Sequence, residues 1–292
     1  AQLCRQIAPE VPVHGSTQLT VHSLPGVMLC AALGMKRVVL SRELNREEIR
    51  YICKNSPIEI EIFGHGALCM CYSGQCYLSA MIGGRSGNRG RCAQPCRQSY
   101  GYGRWESRYP LSLKDNCLVH YVKELEEMGV ASLKLEGRMK RPEYVATVTG
   151  VYRKAIDDCL CDPELYRRNM EWYREEIGKC TFRSYTTGFY FGKPGAESQI
   201  YDNSTYIKNY TYLGTVEETD GAGRGRLIQK NKFSVGETIE IMKPDGRNLE
   251  AVVREIRSED GELQESAPHS KQVLWVGFEA EAGAEPYDLL RR

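Results

Sequence analysis

The sequence predicts an α/β fold: a partial (β/α)8, TIM-like barrel lacking its first strands, followed by a small antiparallel β-barrel. Two observations predict it. Strand and helix patterns alternate about five times over residues 1–183, and short alternating strands between turn signals fill residues 184–292. Val11–Ser16 reads as the first strand, with a helix through Pro25–Leu33. Lys36–Ser41 is a β-branched second strand. Asn45 then caps a helix through Glu47–Lys54, with Glu47 and Glu48 in its first turn. Ile58–Phe63 is the third strand. Pro110–Leu113 begins a fourth, followed by a helix over Cys117–Met128 that Gly129 stops. Ala131–Leu135 is the fifth strand, and Pro142 opens a helix running to about Asp158. Pro163–Gly178 is an amphipathic helix that closes the first domain. A closed barrel needs eight strands, so roughly the first three are expected to be missing. An open doubly wound sheet is the alternative, but no dinucleotide fingerprint supports it.

The second domain begins near Ser184. Tyr206–Thr215, Gly225–Gln229, Thr238–Lys243, Glu250–Ile256 and Gln272–Gly277 alternate apolar and polar residues. Asp245-Gly246 and Asp260-Gly261 mark turns between them.

Composition excludes some classes. No apolar run reaches the roughly 18 residues that span a bilayer, so no membrane partner is expected. The net charge of +1 means that any nucleic-acid affinity must come from a local basic patch. Twelve cysteines in a chain of 292 residues point to metal or thiol chemistry in a reducing, cytoplasmic setting rather than to a secreted disulfide scaffold.

The cysteines are unevenly placed. Cys4, Cys30, Cys53, Cys159, Cys161 and Cys180 each read as small buried hydrophobes. Cys69, Cys71, Cys76, Cys92 and Cys96 instead crowd a glycine-rich stretch after the third strand, and Cys117 follows the next apolar run. In a parallel barrel such a loop overlies the active face. Paired CxxC knuckles, the mark of structural zinc, are absent from the stretch. The spacing suits an iron–sulfur cluster best, with zinc second and disulfides third.

Other residues frame this stretch. His65, at the third strand's end, is a candidate catalytic group; the competing reading is a satisfied structural histidine. Glu136 and Lys134 at the fifth strand's end are further catalytic candidates, or a buried ion pair. Arg85, Arg89 and Arg91 lie in the glycine-rich loop, and Arg97, Arg138 and Lys140 extend the basic group. With Tyr100, Tyr102 and Trp105 between them, they form a candidate RNA footprint; the alternative is a solvated surface loop. The serine- or cysteine-protease constellation and the HExxH zinc motif are both missing.

Glu61, Phe63, Gly66-Ala67-Leu68-Cys69, Gly74, Cys76, Leu78 and Ser79 resemble the signature of the peptidase U32 (collagenase-like) family. So do Gly90-Arg91-Cys92, Cys96-Arg97, Leu113-Lys114-Asp115 and Ser132–Arg138. The closing Tyr287–Arg292 is similar to the end of the family's appended C-terminal domain. The resemblance implies a [4Fe–4S] cluster held by Cys69, Cys76, Cys92 and Cys117, with Cys96 in reserve and Cys71 a bystander. It also implies hydroxylation of the transfer-RNA wobble uridine, with prephenate as a required metabolite. A peptidase, or a cluster-bearing scaffold in a hydroxylation complex, is the alternative.

Overall fold

In this computed structural model the described residues are 1–101, 103–104, 108–138, 140–203, 206–220, 223–279 and 283–292. Tyr102 and Trp105 therefore lie outside the described residues. The chain divides into two compact units that interleave in sequence. One comprises Ala1–Arg138, Asp158–Met170 and Phe182–Ile207; the other comprises Met139–Asp157, Glu171–Thr181 and Lys208–Arg292.

The first unit opens with helix α1 (Gln2–Ile7) and is built on strands β1 (His14–Gly15), β2 (Arg37–Val39), β3 (Glu59–Ala67), β4 (Asp115–Cys117), β5 (Ser132–Leu135) and β6 (Tyr185–Thr186). Strands β1, β2, β3 and β5 run parallel in that spatial order. Val38 pairs with Ile60 and Ile62 with Leu133, so apolar residues stack across the sheet. Helices α2 (Leu24–Ala32), α3 (Arg46–Asn55) and α5 (Val122–Glu127) follow strands. Val27, Val38, Leu40, Ile52, Ile60, Ile62 and Leu125 fill the core. Each such side chain gains about 1.5–3 kcal/mol by leaving water. The expected cap of α3 is present as a capping box. Asn45 Oδ1 accepts from the Glu48 N–H at 3.0 Å, and Glu48 Oε2 accepts from the Asn45 N–H at 2.9 Å.

The fourth parallel strand expected from Pro110 does not form. Leu113 makes only an isolated bridge to Gln199, and Pro110 has no N–H to offer a ladder. The strand comes later, as β4, and pairs antiparallel with the top of β3, Ala67 opposite Asp115 and His65 opposite Cys117. Cys117 thus ends a strand instead of opening a helix. The helix expected over residues 163–178 is two, α7 (Pro163–Arg168) and α8 (Met170–Gly178). Asn169 interrupts them and donates from Nδ2 to Asp158 Oδ2 at 2.7 Å.

The second unit holds most of helix α6 (Pro142–Cys161) and α8 together with a closed antiparallel barrel. The barrel strands are β7 (Tyr212–Thr219), β8 (Arg224–Ile228), β10 (Thr238–Met242), β11 (Asn248–Ser258), β14 (Val273–Glu279) and β15 (Leu289–Arg291). They pair in the ring β7-β8-β14-β11-β10-β15 and back to β7. Short β9 (Phe233–Ser234) pairs with β13 (Ser266–Ala267), and β12 (Leu263–Gln264) extends β11. Leu213, Val216, Leu227, Ile241, Ile256, Leu274 and Leu290 fill the interior. Closing the ring removes the open edges that a six-stranded sheet would otherwise expose. Among the described residues no helix is long and apolar enough to cross a membrane.

One buried ionic group supports the closure. Lys243 Nζ lies 2.8 Å from Asp288 Oδ2 and 3.0 Å from Glu285 Oε2, and the Lys243 and Asp288 side chains are 2% and 0% exposed. Burial opposes the lysine charge, but hydrogen bonds to Asp288 and Glu285 outweigh it and raise its pKa. A raised lysine stabilises the fold below its unfolded pKa, and the gain fades as pH rises through the folded value. Replacing Asp288→Ala strands the buried ammonium and should cost about 3–5 kcal/mol. Urea unfolding of the intact chain should register this as a lower barrel midpoint, whereas the double change Lys243→Met/Asp288→Leu should recover most of it.

Candidate functional site

The site lies in the first unit, beyond the carboxyl ends of β2, β3 and β5. Strand β3 runs into Leu68-Cys69, β2 into Ser41-Arg42-Glu43, and β5 into Glu136-Gly137-Arg138. Gly66 lets two of these approach. Its φ is +111°, and a Cβ there would stand 2.5 Å from the Glu136 carbonyl oxygen.

The loop from Cys69 to Arg97 carries helix α4 (Leu78–Gly83) and is held by specific bonds. Ser73 donates from its N–H and its hydroxyl to Glu43 Oε1, at 2.9 and 3.1 Å, and Ser73 Oγ accepts from the Arg42 N–H at 3.1 Å. Asn88 Nδ2 donates to the Gly74 carbonyl at 2.9 Å, and Ser79 Oγ accepts from the Ala93 N–H at 2.9 Å. Gly74, at φ +78°, sits where a Cβ would meet the Thr17 carbonyl at 2.7 Å. Arg97 closes the loop. Its guanidinium is buried and donates to the Leu68 carbonyl at 3.0 Å, to Ser112 Oγ at 3.3 Å and to the Leu113 carbonyl. The sequence puts Arg97 in the candidate RNA footprint; the fold instead spends its donors on two carbonyls and the Ser112 hydroxyl.

All twelve cysteines are free thiols. Cys69 is exposed as a residue, but the packing around its thiol raises its pKa most, Cys76 and Cys92 raise it further, and Arg42 and Arg97 oppose them. Cys96 is raised by burial and by Cys69, Cys92 and Cys76, with Arg97 opposing. Cys69, Cys76, Cys92 and Cys96 therefore share one electrostatic neighbourhood. Burial raises the Cys71 pKa, and the neighbouring Cys76 and Cys69 add to that. The Gln94 N–H donates to Cys92 Sγ at 3.3 Å, the kind of bond that steadies a ligating sulfur. Cys117 ends β4, its Cα paired with that of His65 on β3. Among the described residues, no three His, Cys, Asp or Glu side chains stand close enough for a single metal ion. A lone zinc needs its sulfurs within about 2.3 Å of one point, whereas a cluster spreads its ligands over a larger core. Of the six cysteines read as core residues, Cys30, Cys159 and Cys180 are buried, Cys53 is half-buried, and Cys4 and Cys161 are exposed.

The remaining candidates separate. His65 is 1% exposed, its ring centroid 5.3 Å from that of Tyr185. Lys134 Nζ lies 3.3 Å from Glu61 Oε1, so the lysine's ion pair is with Glu61 and not Glu136. Glu136 Oε1 accepts from the Arg138 N–H at 3.2 Å. Arg85, Arg89, Arg91 and Arg138 are exposed, and Arg138 Nη1 lies 3.4 Å from the Cβ position of Gly90. The arginine loop and the end of β5 thus form one basic surface. Lys140 belongs to the second unit, where it donates to the Thr181 carbonyl at 3.1 Å.

Sequence reasoning missed Arg42. Its guanidinium carbon sits 3.5 Å from the Phe63 ring centroid. Burial lowers its pKa, and Cys69, Glu136 and Glu43 counter that. The available signal was its position, immediately past the end of the second strand on the face that carries active sites.

The peptidase family U32 model matches residues 1–200, and the model of that family's C-terminal domain matches residues 208–291. The chain is 37% identical to tRNA hydroxylation protein P1 of Bacillus subtilis (strain 168), over 100% of this chain and 71% of that protein. It is 41% identical to the 23S rRNA 5-hydroxycytidine C2501 synthase of Escherichia coli (strain K12), over 91% of this chain and 41% of the other. It is 32% identical to a collagenase of Porphyromonas gingivalis (strain ATCC BAA-308 / W83), over 85% of this chain and 65% of the other.

Arg97→Met should release the cysteine loop from β3. Alkylation rates measured by mass spectrometry should rise several-fold at Cys69 and Cys96, while Arg89→Met leaves them unchanged.

Proposed function

This chain belongs to peptidase family U32, and we propose that it hydroxylates RNA, with the wobble uridine of transfer RNA as the target. The observation that carries this reading is that Cys69, Cys76, Cys92 and Cys96 lie in one loop where they influence one another's charge, beside an exposed arginine surface. A peptidase would need a presented nucleophile and base, and His65 is buried. The names of two relatives, one for tRNA hydroxylation and one for 5-hydroxycytidine in 23S rRNA, favour RNA over peptide. The parallel strands β1, β2, β3 and β5 fit an arc of a (β/α)8 barrel, whose carboxyl face is where chemistry sits.

The thiols suit a [4Fe–4S] cluster. Burial raises the Cys69 and Cys96 thiols, and the neighbouring cysteines add to that by disfavouring several thiolates in one loop. Metal ligation deprotonates such thiols and offsets their charge. Cys69, Cys76 and Cys92 would be three ligands, with Cys117 as the fourth and Cys96 in reserve. Such a cluster would supply electron transfer or a site for a metabolite. The chain's own residues do the rest. Arg85, Arg89, Arg91 and Arg138 grip phosphates. Arg42, braced over Phe63 beside Cys69, meets an anionic co-substrate such as the dicarboxylate prephenate. Arg97 and Glu43 keep the loop in register. A reducing cytoplasm keeps the thiols available.

Two measurements test this. Protein purified without oxygen should be brown and carry about four irons per chain, falling steeply in Cys69→Ala and Cys76→Ala; a colourless zinc protein would overturn the cluster. Nucleoside mass spectrometry of tRNA from cells lacking the protein should show loss of the hydroxyl-derived wobble modification. Wild type should restore it, and Arg42→Met should restore less than a tenth. Unaltered tRNA, with peptide cleavage that survives the cysteine changes, would favour the peptidase.

A further inference from the structure

The cysteine loop turns large apolar side chains towards water. Tyr72, Tyr77, Met81 and Ile82 are 73%, 63%, 82% and 65% exposed, and all four fall in one short stretch. Single exposed apolar residues are ordinary, but a group of them marks a surface that meets something.

The backbone beneath them is fixed. Ser73, next to Tyr72, is buried and gives both its donors to Glu43 Oε1. The Gln75 N–H donates to the Tyr72 carbonyl at 3.0 Å and closes a tight turn. The Met81 N–H donates to the Tyr77 carbonyl at 2.9 Å, so these two side chains stand one helical turn apart on the same face of α4. Ser79, between them in sequence, is buried and accepts from the Ala93 N–H. The rings are therefore presented on a braced support, and little ordering is left for a partner to impose.

The charge of this stretch has one sign. From Ile62 to Arg104 the sequence contains no Asp or Glu, while Arg85, Arg89 and Arg91 follow α4 directly. Glu43 reaches the stretch, but its Oε1 is taken up by Ser73. Hydrogen bonds tie the arginines to the tyrosine segment. The Arg85 N–H donates to the Ser79 carbonyl at 3.2 Å, and Arg85 Nε donates to the Arg91 carbonyl at 3.0 Å. Asn88, beside Arg89, bonds the carbonyl of Gly74, which lies between Tyr72 and Tyr77 in sequence.

Exposed rings and cations on one rigid loop select a ligand that is anionic and flat at once. A lipid surface is anionic but offers no ring, and the six residues of α4 give it only a short apolar face. A duplex offers phosphates but keeps its base faces stacked. Unpaired nucleotides offer both a phosphate and a free π-face. We propose that Tyr72 and Tyr77 are stacking platforms for unpaired bases of the RNA, with Met81 and Ile82 covering their apolar edges while the arginines hold the phosphates. This rests on the RNA reading above; it adds the strand state that is selected and the residues that select it.

Fluorescence anisotropy of the full chain, with a labelled unstructured oligoribonucleotide and with the same strand annealed to its complement, tests it. The wild type should prefer the single strand. Tyr72→Ser/Tyr77→Ser should weaken single-strand binding at least tenfold. Duplex binding and the salt dependence should stay as they were, because no phosphate contact is lost. Tyr72→Phe/Tyr77→Phe should keep wild-type affinity, since stacking needs the ring and not the hydroxyl. Both side chains are exposed, so Tm should not move in either variant. Arg89→Gln should weaken both RNAs alike and flatten the salt dependence. Equal losses on single strand and duplex, no loss in the serine variant, or failure of the wild type to bind either RNA would overturn the inference. Binding to phosphatidylserine–phosphatidylcholine vesicles that needs the tyrosines, beside RNA binding that does not, would assign the surface to a membrane instead. The readout is separate from hydroxylation: modified tRNA with RNA affinity indifferent to both rings sinks the stacking alone, and ring-dependent RNA binding with unmodified tRNA sinks the proposed activity alone.

Discussion

The candidate site depends on one buried guanidinium. Arg97 bonds Leu68, one residue before Cys69, and Leu113, two residues before the strand that carries Cys117. It also sits next to Cys96 in sequence. Three separate stretches of chain that bear sulfur are thus referred to a single rigid planar group. A loop this rich in glycine has no apolar core of its own and would lose conformational entropy on ordering without compensation. Arginine suits the task because its fork reaches several carbonyls at once while keeping its charge near thiolates. Burial lowers the pKa of Arg97, with Arg183 adding to that, and Cys96 and Asp115 act against it.

The two sides of the loop are secured by different means. On one side Glu43 takes both donors of Ser73, so the turn after β2 is bonded to the cysteine segment. On the other, Gly66 lets β3 and the end of β5 touch at a spacing that any side chain would forbid. Arg42 lies where these restraints meet. Its surroundings are aromatic below and acidic beside, a setting in which a cation is held in place and only partly solvated.

Much of this was legible in the sequence where local rules decide. The Asn45 cap, the proline-led α6 and the barrel strands all follow from short-range patterns and are present. What was not legible depended on long-range pairing. Pro110–Leu113 has a strand-like composition, yet the hydrogen-bonding edge of β3 is taken by residues two to four positions further on. Lys134 on β5 and Glu136 just past its end sit two apart, but the ion pair of Lys134 goes to Glu61 on a neighbouring strand. Arg97 looked like part of a basic run because charge can be counted in a sequence and burial cannot. Arg42 was passed over because nothing in its neighbours announces the Phe63 ring beneath it.

The ring of the barrel is completed by β15, which joins β10 to β7 although roughly seventy residues separate its start from the end of β7. During translation, β7 and β10 therefore emerge long before the segment that links them. Until residue 289 clears the ribosome, both strands present unpaired backbone to the crowded surroundings, a period in which chaperone binding or wrong edge-to-edge pairing competes with closure. Maturation of this unit is consequently tied to the timing of synthesis as much as to the strength of its finished core.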